Sequence, residues 1–244
     1  MLIKQVPDTG LGLRVSQEKL EETGLKWVLS PYDEFALEEA LKLKSSLNGK
    51  VFVLSLGPAR VKESLLNALA LGADEAYHLK YEAALQDPLA VAQALKETIQ
   101  NLGDLSLIFA GKMAADQNNF AVPQMLAQLL NWSFVTTLTS LDFKEGAFHV
   151  VRECGGGVEG VLKAKPPLVL SADKGLNQPR YPSLPGIMRA KKKPFHTIDI
   201  KDVEEKFRLT KLELPPQKAE PKIFTGDPSQ QVKELLNHLR DKEK

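Results

Sequence analysis

The 244-residue sequence contains a single cysteine, Cys154, so no disulfide can form within the chain. Its four histidines, His78, His149, His196 and His238, are scattered and set no metal-ligand spacing. No apolar run approaches the roughly eighteen residues that a membrane-spanning helix needs. Neither charge sign is in excess: 32 basic residues face 31 acidic ones, for a formal net charge of +1. That excludes a nucleic-acid binder relying on bulk positive charge, because phosphate neutralisation needs a concentrated basic field. A local basic patch is still allowed.

Several chemical signatures are missing as well. There is no Gly-x-Ser-x-Gly elbow, and Cys154 has no histidine in local sequence, so nucleophilic catalysis is unsupported. Beside Gly155, Gly156 and Gly157, Cys154 reads as a small packed residue at a strand end. Neither Gly-x-x-x-x-Gly-Lys-Ser/Thr nor a strand followed by Gly-x-Gly-x-x-Gly is present, which removes both common phosphate-cradling loops. Met1 to Pro7 carries no charged-then-apolar leader. The expectation is a soluble intracellular protein without structural metal.

What the chain does have is 43% apolar residues against 26% charged ones, enough for a sizeable core. Val51 to Leu56 reads as a buried strand stopped by Gly57 and Pro58. A helix over 62–71 follows, with Leu65, Leu66, Leu69 and Ala70 at helical spacing and Gly72 as its cap. Glu75 to Lys80 is a strand, Pro88 to Asn101 a helix, and Leu105 to Ala110 a strand ended by Gly111. The first strand is expected over Met1 to Gln5. Strands and helices alternating in this way predict an α/β fold with a parallel-core sheet flanked by helices. The pattern then changes to strands at Ser133–Leu141, Ala147–Cys154, Gly160–Ala164 and Pro167–Ala172, which are expected to add antiparallel strands at one edge. The α/β domain is placed at 1–195. Beyond it, Leu214 to Lys222 is polar and proline-rich. Asp227 and Pro228 then open a helix with Val232, Leu235, Leu236 and Leu239 on one face. Docking of that stripe on its own domain and on a partner chain are both open.

In an open parallel sheet, ligands sit beyond the carboxyl ends of the strands. Three segments converge there: backbone near Leu2 to Lys4, Ser55 to Pro58, and the polar loop from Gly111 to Pro123 that runs into a helix. Helix amino termini offer unpaired N–H groups, so such a loop could hold a phosphate. Ser30, Pro31, Tyr32 and Asp33 form another helix start, with Ser30 as cap and Asp33 at the capping-box position. On their own, these four residues support only a structural cap.

A second feature runs from Leu176 to Pro194. Leu184 stands just before Pro185 at the start of a short helix, which ends in Lys191, Lys192 and Lys193 beside the negative end of the dipole. It is either a solvated helix end with one leucine tucked under it, or a protruding apolar anchor in a basic rim suited to an acidic partner with an apolar pocket.

At these segments the chain resembles the β subunit of electron-transfer flavoprotein. The matching stretches are Ile3 to Asp8, Ser30 to Ala40, Gly57 to Ala59, Ala68 to Asp74, Gly111–Lys112 to Asp116, Arg152–Glu153 with the glycine run, and Leu176 to Pro194. They span most of residues 1–195 in the family's order, and the last is highly specific. The resemblance implies an obligate heterodimer with an α subunit that holds the redox-active FAD. It implies an adenine-nucleotide α-hydrolase-like fold and a structural AMP in this subunit. By position, AMP would touch Leu2, Ser30, Pro31, Tyr32, Asp33, Leu56, Gly111, Lys112, Met113, Ala114, Ala115, Asp116, Gln117, Asn118, Asn119, Phe120, Ala121 and Val122. The partner-recognition loop maps to 172–194. Leu184 enters a pocket of an acyl-CoA dehydrogenase, accompanied by Pro185, Ile187, Met188, Lys191, Lys192 and Lys193. Glu153 maps near an acidic residue that approaches the flavin domain. The C-terminal arm, 196–244, wraps the α subunit.

The implied role is electron carriage from flavin dehydrogenases, as in fatty acid oxidation, to a quinone oxidoreductase and the respiratory chain, with no bond chemistry in this subunit. The expected compartment is the cytoplasm in a bacterium or the mitochondrial matrix in a eukaryote, and a few more residues are expected ahead of Leu2. Two departures matter. Single-flavin members carry Asn-Gln-Thr-Gly where this chain has Phe120, Ala121, Val122 and Pro123, which removes a hydroxyl and two amide groups. Pro182 to Gly186 is closer to electron-bifurcating members, whose β subunit binds a second FAD in place of AMP, while Lys191 to Lys193 favours the single-flavin group. A nucleotide-sensing module of the same fold is the third alternative.

Overall fold

The structure is a computed structural model that describes residues 1–82, 87–201, 203–216 and 220–242. It divides into two compact units, Met1–Leu212 and Glu213–Lys244. In the first unit β1 (Gln5–Pro7) pairs antiparallel with β4 (Trp27–Leu29), and β2 (Val15–Ser16) with β3 (Lys19–Leu20) makes a small hairpin between them. The helix α1 (Pro31–Leu47) follows, then β5 (Phe52–Gly57), α2 (Val61–Leu71), β6 (Glu75–Lys80), α3 (Pro88–Gln100), β7 (Leu107–Gly111) and α4 (Val122–Leu130). The rest of the unit is β8 (Ser133–Lys144), β9 (Ala147–Glu153), β10 (Glu159–Ala164), β11 (Leu168–Ala172), α5 (Leu184–Ala190) and β12 (Phe195–Asp199). The expected alternation of strands and helices is therefore present, with parallel strands flanked by helices.

Two sheets carry the unit, in the orders β12-β6-β5 and β10-β9-β8-β11-β7. The first is parallel throughout. In the second, β7, β11 and β8 are parallel, which corrects the expectation of four antiparallel edge strands. Only β9 and β10 form an antiparallel edge, while β11, buried along its whole length, lies between β7 and β8 in the parallel core. The amino-terminal segment joins them. Leu2 bridges Leu54 of β5 in parallel, and its N–H donates to the Phe109 carbonyl of β7 at 2.7 Å. The expected Met1–Gln5 strand is thus shorter. Its ladder contacts end at Ile3, because Lys4 turns its N–H to a side chain and Gln5 begins a separate antiparallel pairing. The sequence pattern did not mark β12, which is exposed over most of its length and extends the sheet past residue 195.

Helices cover both faces, as parallel strands require. On one side Leu37 of α1, Leu65 and Leu69 of α2 and Ala190 of α5 pack on Val53, Phe109, Phe148 and Leu170. On the other, Leu95 and Ile99 of α3 and Leu126 of α4 pack on Leu54, Leu79, Ile108 and Val169. Leu37, Leu65 and Leu69 are fully buried, each contributing about 1.5–3 kcal/mol by transfer from water. Gly72 caps α2 with φ 139°, outside the range that residues with a Cβ favour. Pro88 stands at the start of α3, where Asp87 accepts from the Leu89 N–H.

In the second unit Asp227 caps α6 (Pro228–Lys242), accepting from the N–H groups of Ser229 and Gln230 at 3.0 and 3.2 Å. Val232, Leu235, Leu236 and Leu239 are all exposed. Residues 217–219 of the proline-rich stretch lie outside the described residues. Among the described residues no helix is long and apolar enough to cross a membrane.

The helix α5 reaches close contact with α2 because residue 186 has no side chain. A Cβ there would lie 2.5 Å from the Ala70 carbonyl oxygen. Gly186→Ala should therefore push the two helices apart and destabilise the protein by about 1–3 kcal/mol, the usual cost of overpacking, read from urea unfolding midpoints.

Candidate functional site

The strand order reverses beside the amino-terminal segment. In chain order Met1–Ile3, β5 and β6 run to one side, while β7 and β11 lie on the other. Such a switch point leaves a crevice at the carboxyl ends of the strands, because the helices that follow them depart to opposite faces. Here those ends are Lys4 and Gly111. Both have N–H groups that the ladder leaves unpaired, and both are met by one side chain. Asp33, in the first turn of α1, accepts from Lys4 N–H at 2.7 Å and from Gly111 N–H at 2.8 Å. Gly111 is needed for this contact, since a Cβ would stand 2.6 Å from Asp33 Oδ1 and 2.7 Å from Tyr32 Cβ.

This corrects the expected cap. Ser30 Oγ makes no hydrogen bond, and the Ser30 N–H goes to the Lys4 carbonyl rather than to Asp33. Asp33 is spent on the strand ends, where two buried N–H groups would otherwise be orphaned. Burial pushes the Asp33 carboxyl up to about 7, against the opposing pull of the two backbone N–H groups and the Lys4 ammonium, with Asp116 adding a further upward push.

The structure brings the predicted cleft residues together. Leu2 lies between β5 and β7, Leu56 near the end of β5, and Ser30 to Asp33 against Gly111. Two ion pairs fasten the loop after β7: Lys4 with Asp116 at 2.7 Å and Lys112 with Asp173 at 2.8 Å. The Lys4 ammonium also reaches Gln117 Oε1 at 3.2 Å. The Lys112 ammonium stands 4.9 Å from the Tyr32 ring centre and 5.7 Å from that of Phe120. Beyond Asp116 the loop turns sharply, with Asn118 and Phe120 at φ 51° and 52°. The side chains of Lys4 and Asp173 were not singled out in the sequence; charged residues at strand ends are too common to stand out.

An adenine nucleotide fits the cleft unevenly. Ser30 Oγ, Ser55 Oγ and Gln124 Oε1 are buried and make no hydrogen bond, so polar groups are available around the strand ends and the start of α4. The start of α4 would offer an anion mainly backbone: Phe120, Ala121 and Val122 carry no polar side-chain atom and Pro123 lacks an N–H, which leaves the N–H groups of the other residues in this turn. No group of three or more His, Cys, Asp or Glu side chains placed to hold a metal ion occurs among the described residues.

The proline-punctuated loop forms a separate feature. Tyr181, Leu184 and Met188 are 93%, 78% and 73% exposed, so Leu184 protrudes and is not tucked under the helix. Ser183 caps α5 through the Gly186 N–H. Ile187, Lys191 and Lys192 are exposed, but Lys193 turns inward and donates to the Leu69 and Ala73 carbonyls at the end of α2. Burial, then the charges of Lys44 and Arg189, lower its ammonium below the ordinary range against the opposing charge of Asp74. The basic rim is therefore Arg189, Lys191 and Lys192. The residues that mount this loop carry no local signal of that role in the sequence: Asn177 donates to the Phe35 carbonyl and Glu39, and Arg180 to Glu38.

At the β9–β10 turn, Gly155, Gly156 and Gly157 all have positive φ and close a tight hairpin. Glu153 is exposed at its mouth opposite Glu159. Cys154 is exposed too, not packed, because the turn leaves its side chain outside the core.

Comparison with known proteins gives a consistent result. The family model for the electron transfer flavoprotein domain matches residues 18–203. The chain is 35% identical to the electron transfer flavoprotein subunit beta of Bacillus subtilis (strain 168), covering 100% of this chain and 98% of the relative. It is 40% identical to that of Dictyostelium discoideum, over 78% of this chain and 76% of the relative. It is 34% identical to the mitochondrial subunit beta of Arabidopsis thaliana, over 98% and 96%.

The buried Asp33 makes stability depend on pH. Its folded pKa of about 7 lies above the ordinary 3.8, so between those values the folded chain keeps a proton that the unfolded chain has released. The stabilisation is complete below the ordinary value and is lost as pH rises towards 7, with a slope of at most about 1.4 kcal/mol per pH unit. Urea unfolding at pH 5, 6 and 7 should show this decline. Asp33→Asn should remove that slope and lower stability overall, because its amide NH2 would face one of the two N–H donors.

Proposed function

The chain belongs to the electron transfer flavoprotein family as a β subunit, a carrier subunit and not a catalytic enzyme, and we propose that it is half of an obligate heterodimer whose α subunit holds the redox-active FAD. When bound there, FAD would supply the electron chemistry between flavin dehydrogenases, acyl-CoA dehydrogenases among them, and a quinone oxidoreductase. In this reading residues 1–195 are a nucleotide-binding domain of the adenine-nucleotide α-hydrolase-like class. Residues 196–244 are an arm, and its α6 buries Val232, Leu235, Leu236 and Leu239 on the α subunit. The setting is fatty acid oxidation, in the cytoplasm of a bacterium or the matrix of a mitochondrion.

The observation that carries the reading is the protruding Leu184, with Met188 and Tyr181 beside it and Arg189, Lys191 and Lys192 around it. A single apolar anchor within a cationic rim suits an acidic partner with an apolar pocket: the charges speed encounter and the anchor sets residence time. Pro185 and Ile187 complete the anchor helix. Because the anchor is separate from the flavin, it leaves the flavin domain free to approach the donor, with Glu153 facing that domain. AMP would sit in the switch-point cleft as a structural plug, held by Leu2, Leu56, the Ser30–Asp33 turn and the loop from Gly111 to Val122. The Pro182–Gly186 sequence favours a second reading, an electron-bifurcating member with a second FAD in place of AMP, because it is closer to those members, while Lys191–Lys193 favours the single-flavin reading.

Acid release of nucleotides from the purified heterodimer tests both readings. One FAD and one AMP per heterodimer is the expected result; two FAD without AMP would establish the bifurcating reading. Leu184→Ala should raise the KM for the donor dehydrogenase about tenfold or more while leaving flavin content unchanged. A drop in flavin content with transfer per flavin intact would remove the anchor from the account.

A further inference from the structure

The loop between β11 and α5 has no regular secondary structure from Asp173 to Ser183, yet it is fixed to two helices. On α1, two consecutive buried carboxylates face it. Glu39 accepts from Asn177 Nδ2 at 2.9 Å, and the same nitrogen donates to the Phe35 carbonyl at 2.9 Å. Glu38 takes the whole fork of Arg180: Nε donates to Oε2 at 2.7 Å and Nη2 to Oε1 at 2.8 Å, while the Arg180 backbone N–H reaches Oε2 at 3.3 Å. On α2, Gly186 sits against the Ala70 carbonyl. Between these two fixed points stand Tyr181 and Leu184, both exposed.

Leu184 therefore has little support from its own surroundings, and its direction is set by what holds the chain on either side. A bidentate arginine–carboxylate pair fixes both position and angle, because two parallel N–H···O bonds resist pivoting as a single ammonium contact does not. Burial works to raise the Glu38 carboxyl, but the Arg180 hydrogen bonds and charge outweigh it and hold it below its ordinary value. The carboxylate is thus kept in the form that accepts the fork.

We propose that Arg180 and Glu38 are a positioning pair that holds the recognition loop in its docking conformation and so presents Leu184 to the donor. Neither residue is among those assigned to the nucleotide cleft. It acts through the fraction of molecules whose loop is competent to dock, and apparent affinity falls in proportion when that fraction falls. The proposal rests on the reading of Leu184 as the anchor.

The test uses the assembled heterodimer and a flavin dehydrogenase donor. Arg180→Lys keeps the charge and loses the fork. It should raise the KM for the donor about three- to tenfold while kcat and flavin per heterodimer hold. Glu38→Gln, which keeps the shape and removes the charge, should move KM in the same direction and serves if the first variant does not assemble. The deciding measurement is the cycle with Leu184→Ala: a pair that works through Leu184 should have no further effect on KM once Leu184 is gone. Additive effects, or an altered melting temperature with KM unchanged, would show a purely structural salt bridge and overturn the proposal. If Leu184→Ala itself leaves KM unchanged, the anchor reading fails and the proposal falls with it. If Leu184→Ala raises KM and Arg180→Lys does not, the anchor stands and the positioning role alone is refuted.

Discussion

One buried carboxylate closes the point at which this sheet changes direction. The amino-terminal segment and β7 end side by side with N–H groups that no further strand can satisfy, and Asp33 accepts from both. Without such an acceptor, two buried donors would be left unpaired at the mouth of the crevice, each at a cost of about 1–3 kcal/mol. The same contact requires glycine at 111 and brings Tyr32 against the start of the loop that runs to α4. Lys4, Lys112, Asp116 and Asp173 then fix that loop from its two flanks.

The helix that carries Asp33 also carries Glu38 and Glu39. Its first turn serves the cleft, and its next turn grips the loop between β11 and α5. Acidic residues suit the positive end of a helix dipole, yet here they are used chiefly as acceptors for groups that arrive from far along the chain. The switch-point cleft and the loop that carries Leu184 are thus both mounted on one helix, packed against the sheet by Leu37 and Ala40.

Parts of this were legible in advance. The apolar runs of β5 and β7 and the helical spacing of α2 each reflect burial that a short window of sequence reports. The run of strands after residue 133 was visible in the same way, although their apolar pattern did not show that β8 and β11 are parallel and only β9 and β10 antiparallel, and Leu184 stood out because prolines isolate it. Other parts left no local trace. Ser30 looks like a helix cap, and only the neighbouring strands reveal that Asp33 is engaged elsewhere. Lys193 looks like part of a basic run but belongs to the carboxyl end of a helix some 120 residues earlier. The glycines at 155–157 hide the fact that Cys154 faces outward.

By itself the sequence determined the α/β class, the order of most elements, the three segments that meet at the strand ends and the family to which they belong. These follow from periodicity, punctuation and motif, which act over a few residues at a time. Tertiary structure alone decided that Asp33 spans two strands, that Arg180 finds Glu38 and that Lys193 leaves the surface. Each of these depends on which unpaired donors and acceptors the packed sheet brings within about 3 Å, and that distance has no counterpart along the chain.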